Sequence, residues 1–592
     1  MNGNPARRRD RRRKDLGSIA GVLAAAIALG VGQLVAGITG ANGSPVVAVG
    51  QLQIDFTPPW LKNFAITNFG SDDKVVLVGG IVVVLILFAA VIGAEATRRL
   101  AYGMAGLALF AAVGLIAAAT RPGASVADVL PTLFATAAAA VALRLLINRI
   151  GPPAVTGPPT RKYQWDTGPS VTAGPEPATG PGPALDDQTD DDGFPVVPDL
   201  PPRPGQPAGH GRTGPPGGVI RPAAAERGDW VTGPGGAGPG RRGFLAASMA
   251  TAGIAGVAGL AGRVLSERAS VSIARQDLHL PTPTQTVPVL PPGVNLDIPG
   301  LSPFITSNNS FYRVDTAIVL PQVAPSSWQL RIHGMVSREI TLTFDELLKR
   351  PLIEDYITLC CVSNPVAGPY IGNALWLGTK LSGLLREAGI QAGADQLLCT
   401  SVDGFTSGTP VATVMDGRDA LLAFAMNGQP LPVAHGFPAR MVVPGLYGYV
   451  SATKWVTDIE VTTFASNFAY WAQRGWSQQA PIKTESRIDV PTGFGTLKAG
   501  RTAVAGVAWA QHKGIDAVHV RVDQGPWNEA TLAAVPGIDT WRQWAWDWEA
   551  TSGTHLIECR ATDKTGYTQT AIDAPPEPNG ASGYPMVQVA IK

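Results

Sequence analysis

The stretch Tyr356–Trp376, YITLCCVSNPVAGPYIGNALW, concentrates residue types that can do chemistry. It opens as an apolar, β-prone run and delivers two adjacent cysteines, Cys360 and Cys361, into a Ser-Asn-Pro turn. A thiol placed where a strand opens into a polar loop can reach a ligand without being enclosed by the core. Cys361 is therefore the candidate ligand of a metal cofactor. Neighbouring side chains of an extended segment point to opposite faces, which turns Cys360 toward packing. Four cysteines in 592 residues are too few for a disulfide-dense scaffold. Cys399 and Cys559 read as buried free thiols or an oxidised pair. Burial is preferred, because free cysteine is among the most buried residue types.

Several elements must surround and deliver that stretch, since 592 residues exceed one compact domain. The formal net charge of +1 gives no case for nucleic acid as a partner. The first fourteen residues carry six arginines and a lysine, and the uncharged run Leu16–Ile38 that follows is long enough to cross a bilayer. Three more apolar runs, Val75–Ala94, Leu100–Thr120 and Val126–Ile147, complete an all-α, four-span transmembrane bundle within residues 1–150. The basic residues Arg98, Arg99, Arg144, Arg149, Arg161 and Lys162 share one side with the N-terminus if the spans alternate, and that side is the cytoplasm. Aromatics of the opposite loop Ala41–Asp73 can lie against the membrane surface. None of the seven histidines falls in these runs, so a histidine-ligated haem is not expected there. The charged residues Glu95 and Arg144 stand near span ends, which favours a structural or docking role over transport.

Residues 151–240, rich in Pro, Gly and Asp, read as a disordered cytoplasmic linker unable to bury a core. Residues 241–265 begin with Arg241-Arg242, continue with Phe244-Leu245 and run on as a weakly apolar Ala/Gly-rich helix. That pattern is a twin-arginine-like signal doubling as a fifth span. The following half would then be exported already folded and stand outside the membrane. Residues 266–294 read as an extended, proline-rich stalk, 295–465 as a mixed α+β domain, and 466–592 as an immunoglobulin-like β-sandwich. The sandwich rests on alternating runs such as AVHVRVDQGPWNEATL and WRQWAWDWEA, with a break at Ala465–Asp489.

The order of motifs carries a resemblance. NNSFYR (308–313) precedes CCVSNPVAG and LW-x-G-x-x-L-x-x-LL; SVDGF, MNGQPLP, HGFPARMVVPGLYGYVSATKWV and VRVDQGPW follow. The series resembles the sulfite oxidase family of molybdopterin enzymes, including its membrane-associated bacterial branch, over roughly residues 295–592. The resemblance implies a cofactor of molybdenum and molybdopterin, with one cysteine thiolate on the metal. C-V-S-N places that role on Cys361, with Asn364 after it; a soft thiolate suits a metal already in a sulfur-rich setting. It further implies cofactor contacts from Asn309, Tyr312 and Arg313, from Ser401 beside the metal, from His435 and Arg440, and from Ser451, Thr453 and Lys454 at the phosphate end.

True sulfite oxidases place arginines directly after the cysteine motif to hold an anion, whereas this chain has Pro365-Val366-Ala367-Gly368. Family members acting on sulfoxides also lack those arginines, but rely on a separate haem-bearing membrane protein. The leading expectation is a membrane-anchored oxidoreductase that transfers an oxygen atom to or from a small extracytoplasmic substrate. It would exchange electrons with a quinone, cytochrome or other carrier. A homodimer through the sandwich is a family expectation. The rival reading is a membrane-tethered binding or assembly module that kept the fold and lost catalysis.

Overall fold

The computed structural model describes residues 5–39, 44–58, 73–120, 126–150, 241–268 and 271–592. The expected linker 151–240 lies outside the described residues, as does most of the aromatic loop before residue 73. The N-terminal helices are α1 (Pro5–Thr39), α2 (Pro45–Phe56), α3 (Asp73–Ala96), α4 (Leu100–Ala119), α5 (Val126–Ile150) and α6 (Arg241–Arg268). Five of them, all but α2, are long and apolar enough to cross a membrane. The short α2 lies within the segment read as the loop Ala41–Asp73. Helix α1 is the hub, packing against α3, α5 and α6. Close approach there depends on small residues. A Cβ on Gly21 would stand 1.9 Å from the Ala89 carbonyl of α3, and one on Gly30 would stand 2.5 Å from the Ala255 carbonyl of α6.

Past α6, the segment expected as a stalk is extended but lies docked along the sheet-rich half. A short helix α7 (Ser272–Gln276) brings Arg275 onto the carbonyls of Pro430 and Leu431 at 2.8 and 2.7 Å. Thr284 N then donates to Leu352 O at 2.9 Å, and Leu296 N to Gln543 Oε1 at 2.8 Å. Extended backbone leaves its N–H groups without local acceptors, and the two backbone contacts satisfy them.

Two sheets build the region of residues 329–462. The first is β1 (Gln329–Gly334), β2 (Ile340–Thr343), β5 (Gln396–Ser401), β6 (Thr406–Pro410) and β10 (Val456–Thr462), in the order β2-β1-β10-β5-β6. The second joins β3 (Leu352–Cys360), β4 (Ile371–Lys380), β7 (Leu421–Met426) and β8 (Gln429–Pro430), with β9 (Arg440–Val442) pairing β7. The segment FDELLKR forms the short helix α8 (Phe344–Leu348), started by a capping box between Thr343 and Glu346. The amphipathic α9 (Leu381–Ala388) buries Leu381, Leu384 and Leu385.

Nine further strands form two sheets around one core. The orders are β11 (Glu485–Val490)-β13 (Gly500–Trp509)-β17 (Arg542–Ala550)-β16 (Thr531–Leu532), and β12 (Thr496–Leu497)-β19 (Met586–Ile591)-β18 (Gly553–Asp563)-β14 (Ile515–Val522)-β15 (Asn528–Glu529). Val504, Trp544, Val518 and Ile557, drawn from both sheets, share that core. The first of these strands, β11, starts inside the break expected at 465–489, where isolated polar residues hide the alternation of ESRIDV. The two halves of the sheet-rich region are not loosely tethered. Trp541 N donates to Thr358 Oγ1 at 2.7 Å, Gln511 Nε2 to Thr358 O at 3.0 Å, and Trp541 Nε1 to Phe304 O at 2.9 Å, all buried.

Candidate active site around Cys361

Strands β3 and β4 form an antiparallel hairpin whose last pair is Cys360 with Ile371, so residues 361–370 are its loop. The loop is closed by its own backbone. Cys361 N donates to Tyr370 O at 2.9 Å, and Tyr370 N returns a bond to Asn364 Oδ1 at 2.8 Å. Ala367 takes φ +60°, and a Cβ on Gly368 would stand 2.5 Å from Asn364 Oδ1, so glycine is required where the loop folds back. The two cysteines part as the alternation of an extended strand predicts. Cys360 is fully buried in the main core, while Cys361 turns its Sγ to Ser363 Oγ at 2.9 Å. All four cysteines are free and buried, so Cys399 and Cys559 are thiols.

The segment before β1 brings aromatics to this loop. Phe311 and Tyr312 stack at 5.2 Å, and Phe311 meets Trp376 and His435 edge-on at 5.9 and 5.6 Å. Burial raises the Tyr312 pKa, with Cys361 and Cys360 adding to the rise, so its phenol stays protonated.

Residues 435–454 fold back on themselves, because Met441 N donates to Thr453 O and Arg440 bridges to Lys454. That turn gathers the basic groups. The buried Arg440 guanidinium donates to the carbonyls of His435, Ala452 and Met441 at 3.1, 3.2 and 3.3 Å, and lies 5.1 Å from the Trp376 ring centre. Burial lowers its pKa to about 10. His435 Nε2 lies 3.1 Å from Asn308 O, a carbonyl that must accept, so the proton is on Nε2. Burial, then Arg440 and Lys454, lower its pKa to about 4, leaving a neutral ring. Lys454 Nζ donates to Asp315 Oδ2 at 2.8 Å, and burial lowers its pKa to about 8 although Asp315 pulls upward. Arg313, partly exposed, reaches the same carboxylate at 2.7 Å.

Of the residues expected from sequence, Cys361, Tyr312, Arg313, His435, Arg440 and Lys454 thus belong to one connected neighbourhood. Asn309 is exposed, and its neighbour Asn308 is the one built in, accepting from Asn427 Nδ2 at 2.8 Å. The Ser451 hydroxyl donates to Leu446 O and Tyr447 O, and Thr453 Oγ1 lies 2.6 Å from Ser407 Oγ. Ser401 is buried at the end of β5, its Oγ without a hydrogen-bond partner. Sequence reasoning missed Ser363, Asn308, Asp315 and Arg487. For the first three the signal was a polar residue one or two positions from a motif residue. Arg487 is different: it lies on β11 and donates to Gly368 O at 3.0 Å, to Ser302 Oγ at 2.9 Å and to Asp489 Oδ1 at 2.6 Å. A cation does reach the uncharged Pro365–Gly368 turn, but with a carboxylate attached.

This donor set fits an anionic, hydrogen-bonding cofactor with a soft metal. The buried Cys361 thiol feels the charge of Lys454, which sits on the same turn as the buried Arg440 and is paired with Asp315. Two buried polar atoms, Asn364 Nδ2 and Ser401 Oγ, have no hydrogen-bond partner. Among the described residues no cluster of three His, Cys, Asp or Glu could hold a metal by itself, so a metal here would bring most of its own ligands.

Comparison with known proteins agrees. Residues 317–471 match the family described as an oxidoreductase molybdopterin binding domain. The sulfite oxidase of Gallus gallus is 31% identical over 325 residues, covering 46% of this chain and 69% of that protein. The mitochondrial sulfite oxidase of Rattus norvegicus is 28% identical over 322 residues, covering 46% of this chain and 58% of its own length. Among solved structures, the sulfane dehydrogenase SoxCD from Paracoccus pantotrophus aligns over 49% of this chain and 82% of its own, with 24% identity and a TM-score of 0.43.

Proposed function

The chain belongs to the sulfite oxidase family of molybdopterin-dependent oxidoreductases, and from that premise we propose a membrane-anchored enzyme that transfers oxygen atoms on a small substrate outside the cytoplasm. When bound, molybdenum–molybdopterin supplies a two-electron centre for that transfer. The observation that carries the reading is the thiol of Cys361 at the start of a hairpin loop, faced by a protonated tyrosine and the buried Lys454.

In this reading Cys361 is the metal ligand. Arg440, Lys454 and Arg313 neutralise the cofactor's phosphate, and neutral His435 and Tyr312 line the pterin without adding charge. Ser401 offers its unpartnered hydroxyl beside the metal, and Asn309, Ser451 and Thr453 contribute chiefly through backbone and loop shape. The uncharged Pro365–Gly368 turn, and an Arg487 already paired with Asp489, favour a weakly charged or sulfoxide-type substrate over sulfite. Five apolar helices support anchoring in the membrane. The N-terminus and linker belong in the cytoplasm, and a fifth span led by Arg241-Arg242 carries the catalytic half across. The two-sheet unit after residue 465 takes the immunoglobulin-like role and is the surface for a homodimer. A quinone, a cytochrome or another carrier completes the electron path.

Metal analysis of the purified protein tests the core of the proposal. Wild type should hold stoichiometric molybdenum and Cys361→Ser should lose turnover with an artificial dye, screened on sulfite and on sulfoxides; wild type without molybdenum refutes it. Arg241→Lys with Arg242→Lys should keep the catalytic half from external protease, and unchanged access refutes the export route.

A further inference from the structure

The hairpin loop does more to its cysteine than present it. Cys361 Sγ faces the amides of Val362 and Ser363 and, at 2.9 Å, the Ser363 hydroxyl. The amides are backbone groups that any residue would supply at those positions. The hydroxyl is a side-chain donor that this sequence adds, two residues past the thiol. In the free protein either the thiol or the hydroxyl can donate. A metal-bound thiolate has no proton, so from that state the hydroxyl must be the donor and sulfur the acceptor. Asn364, held by Tyr370 N, and the fold-back at Gly368 keep the Cys361–Asn364 backbone in the turn that makes this contact.

We propose that Ser363 is a positioning and tuning residue: its hydroxyl donates to the Cys361 thiolate and sets how strongly that sulfur feeds electron density to the bound metal. The inference rests on the cofactor assignment above. A hydrogen bond to a ligating sulfur withdraws charge from it, so the metal is easier to reduce than it would be with a bare thiolate. The bond also fixes the direction in which sulfur meets the metal, because the thiol can no longer rotate away. Ser363 touches neither substrate nor reacting atoms in this account; it acts through Cys361.

The test uses the full-length, cofactor-loaded protein with Ser363→Ala and Ser363→Thr. The readouts are molybdenum content, the sulfur-to-metal charge-transfer absorption, and the midpoint potential of the metal in a dye-mediated titration. Ser363→Ala should load like wild type, shift the absorption and move the one-electron equilibrium about tenfold toward the oxidised metal, roughly 59 mV lower for one electron. Ser363→Thr, which keeps a hydroxyl at the same reach, should restore both. An unchanged potential and absorption in Ser363→Ala overturns the inference. So does loss of molybdenum in Ser363→Ala, which would make the serine a builder of the loop instead. Wild type without molybdenum overturns the cofactor assignment itself, so the two failures are told apart by the wild-type metal content.

Discussion

Replacing Asp315 by asparagine probes the charge balance of the proposed cofactor site. The Asp315 side chain is 4% exposed and receives Lys454 at 2.8 Å, whose own side chain is 11% exposed. Arg313 reaches the same carboxylate from a more solvated position, and its share is small after screening. Removing one partner of a buried pair costs ~3–5 kcal/mol when the stranded charge must stay. Lys454 has another option, because burial already lowers its pKa to about 8. With the carboxylate gone it can shed its proton, and that caps the electrostatic loss. The cap is the work of deprotonation at about 1.36 kcal/mol per pH unit below 8: ~1.4 kcal/mol at pH 7, ~2.7 at pH 6 and nothing above 8. The sign follows directly. Below pH 8 folded wild type keeps a proton that the folded variant loses, so the deficit of the variant grows as pH falls. A weakened hydrogen bond adds about 1 kcal/mol at every pH. Urea titrations of the full chain in detergent, followed by fluorescence of the tryptophans, should trace this slope; the Trp455 ring centre lies 4.9 Å from the ammonium. The slope should vanish when the same change is made in a Lys454→Met background. A difference that is flat from pH 6 to 8.5, or that survives in that background, refutes the reasoning.

Three further outcomes follow from the same geometry. His435 is held neutral with its pKa lowered to about 4, so unfolded chains bind the extra proton between about 6.5 and 4, and stability should fall by up to about 3 kcal/mol across that window as pH drops; His435→Gln should flatten that limb of a stability–pH profile. Thr358→Val strands Trp541 N and Asn373 Oδ1, both bonded to the buried hydroxyl, and should cost ~2–4 kcal/mol in denaturant titration. Gly21→Val drives a Cβ into the Ala89 carbonyl and should lower the thermal stability of the helical bundle in detergent, whereas Gly79→Val, with nothing within 4 Å of its Cβ position, should not.

Much of this organisation was legible along the chain because it is set by short-range rules. Apolar length predicts the five helices long enough to cross a membrane, and alternation predicts β13, β14 and β17. A thiol at the end of an apolar run predicts the split between Cys360, packed in the core, and Cys361, turned into the polar loop. Where a local signal was weak the reading slipped. Helix α2 has no charge pattern to mark it, and β11 carries polar residues whose partners lie elsewhere. Asn308 and Asn309 are adjacent and chemically identical, so only the turn of the backbone decides which one faces His435.

Sequence by itself determined the long apolar helices, the strand-rich half and the cysteine loop, since periodicity and turn chemistry are written over a few residues. Tertiary structure decided who meets whom at the site. It set Lys454 on Asp315 across 139 positions and Arg487 on the Gly368 carbonyl across 119. Those partners come from different strands and loops, and their contacts exist only because packing closes long stretches of chain. Even Ser363, two residues from Cys361, meets the sulfur only because the loop folds back through Asn364 and Gly368.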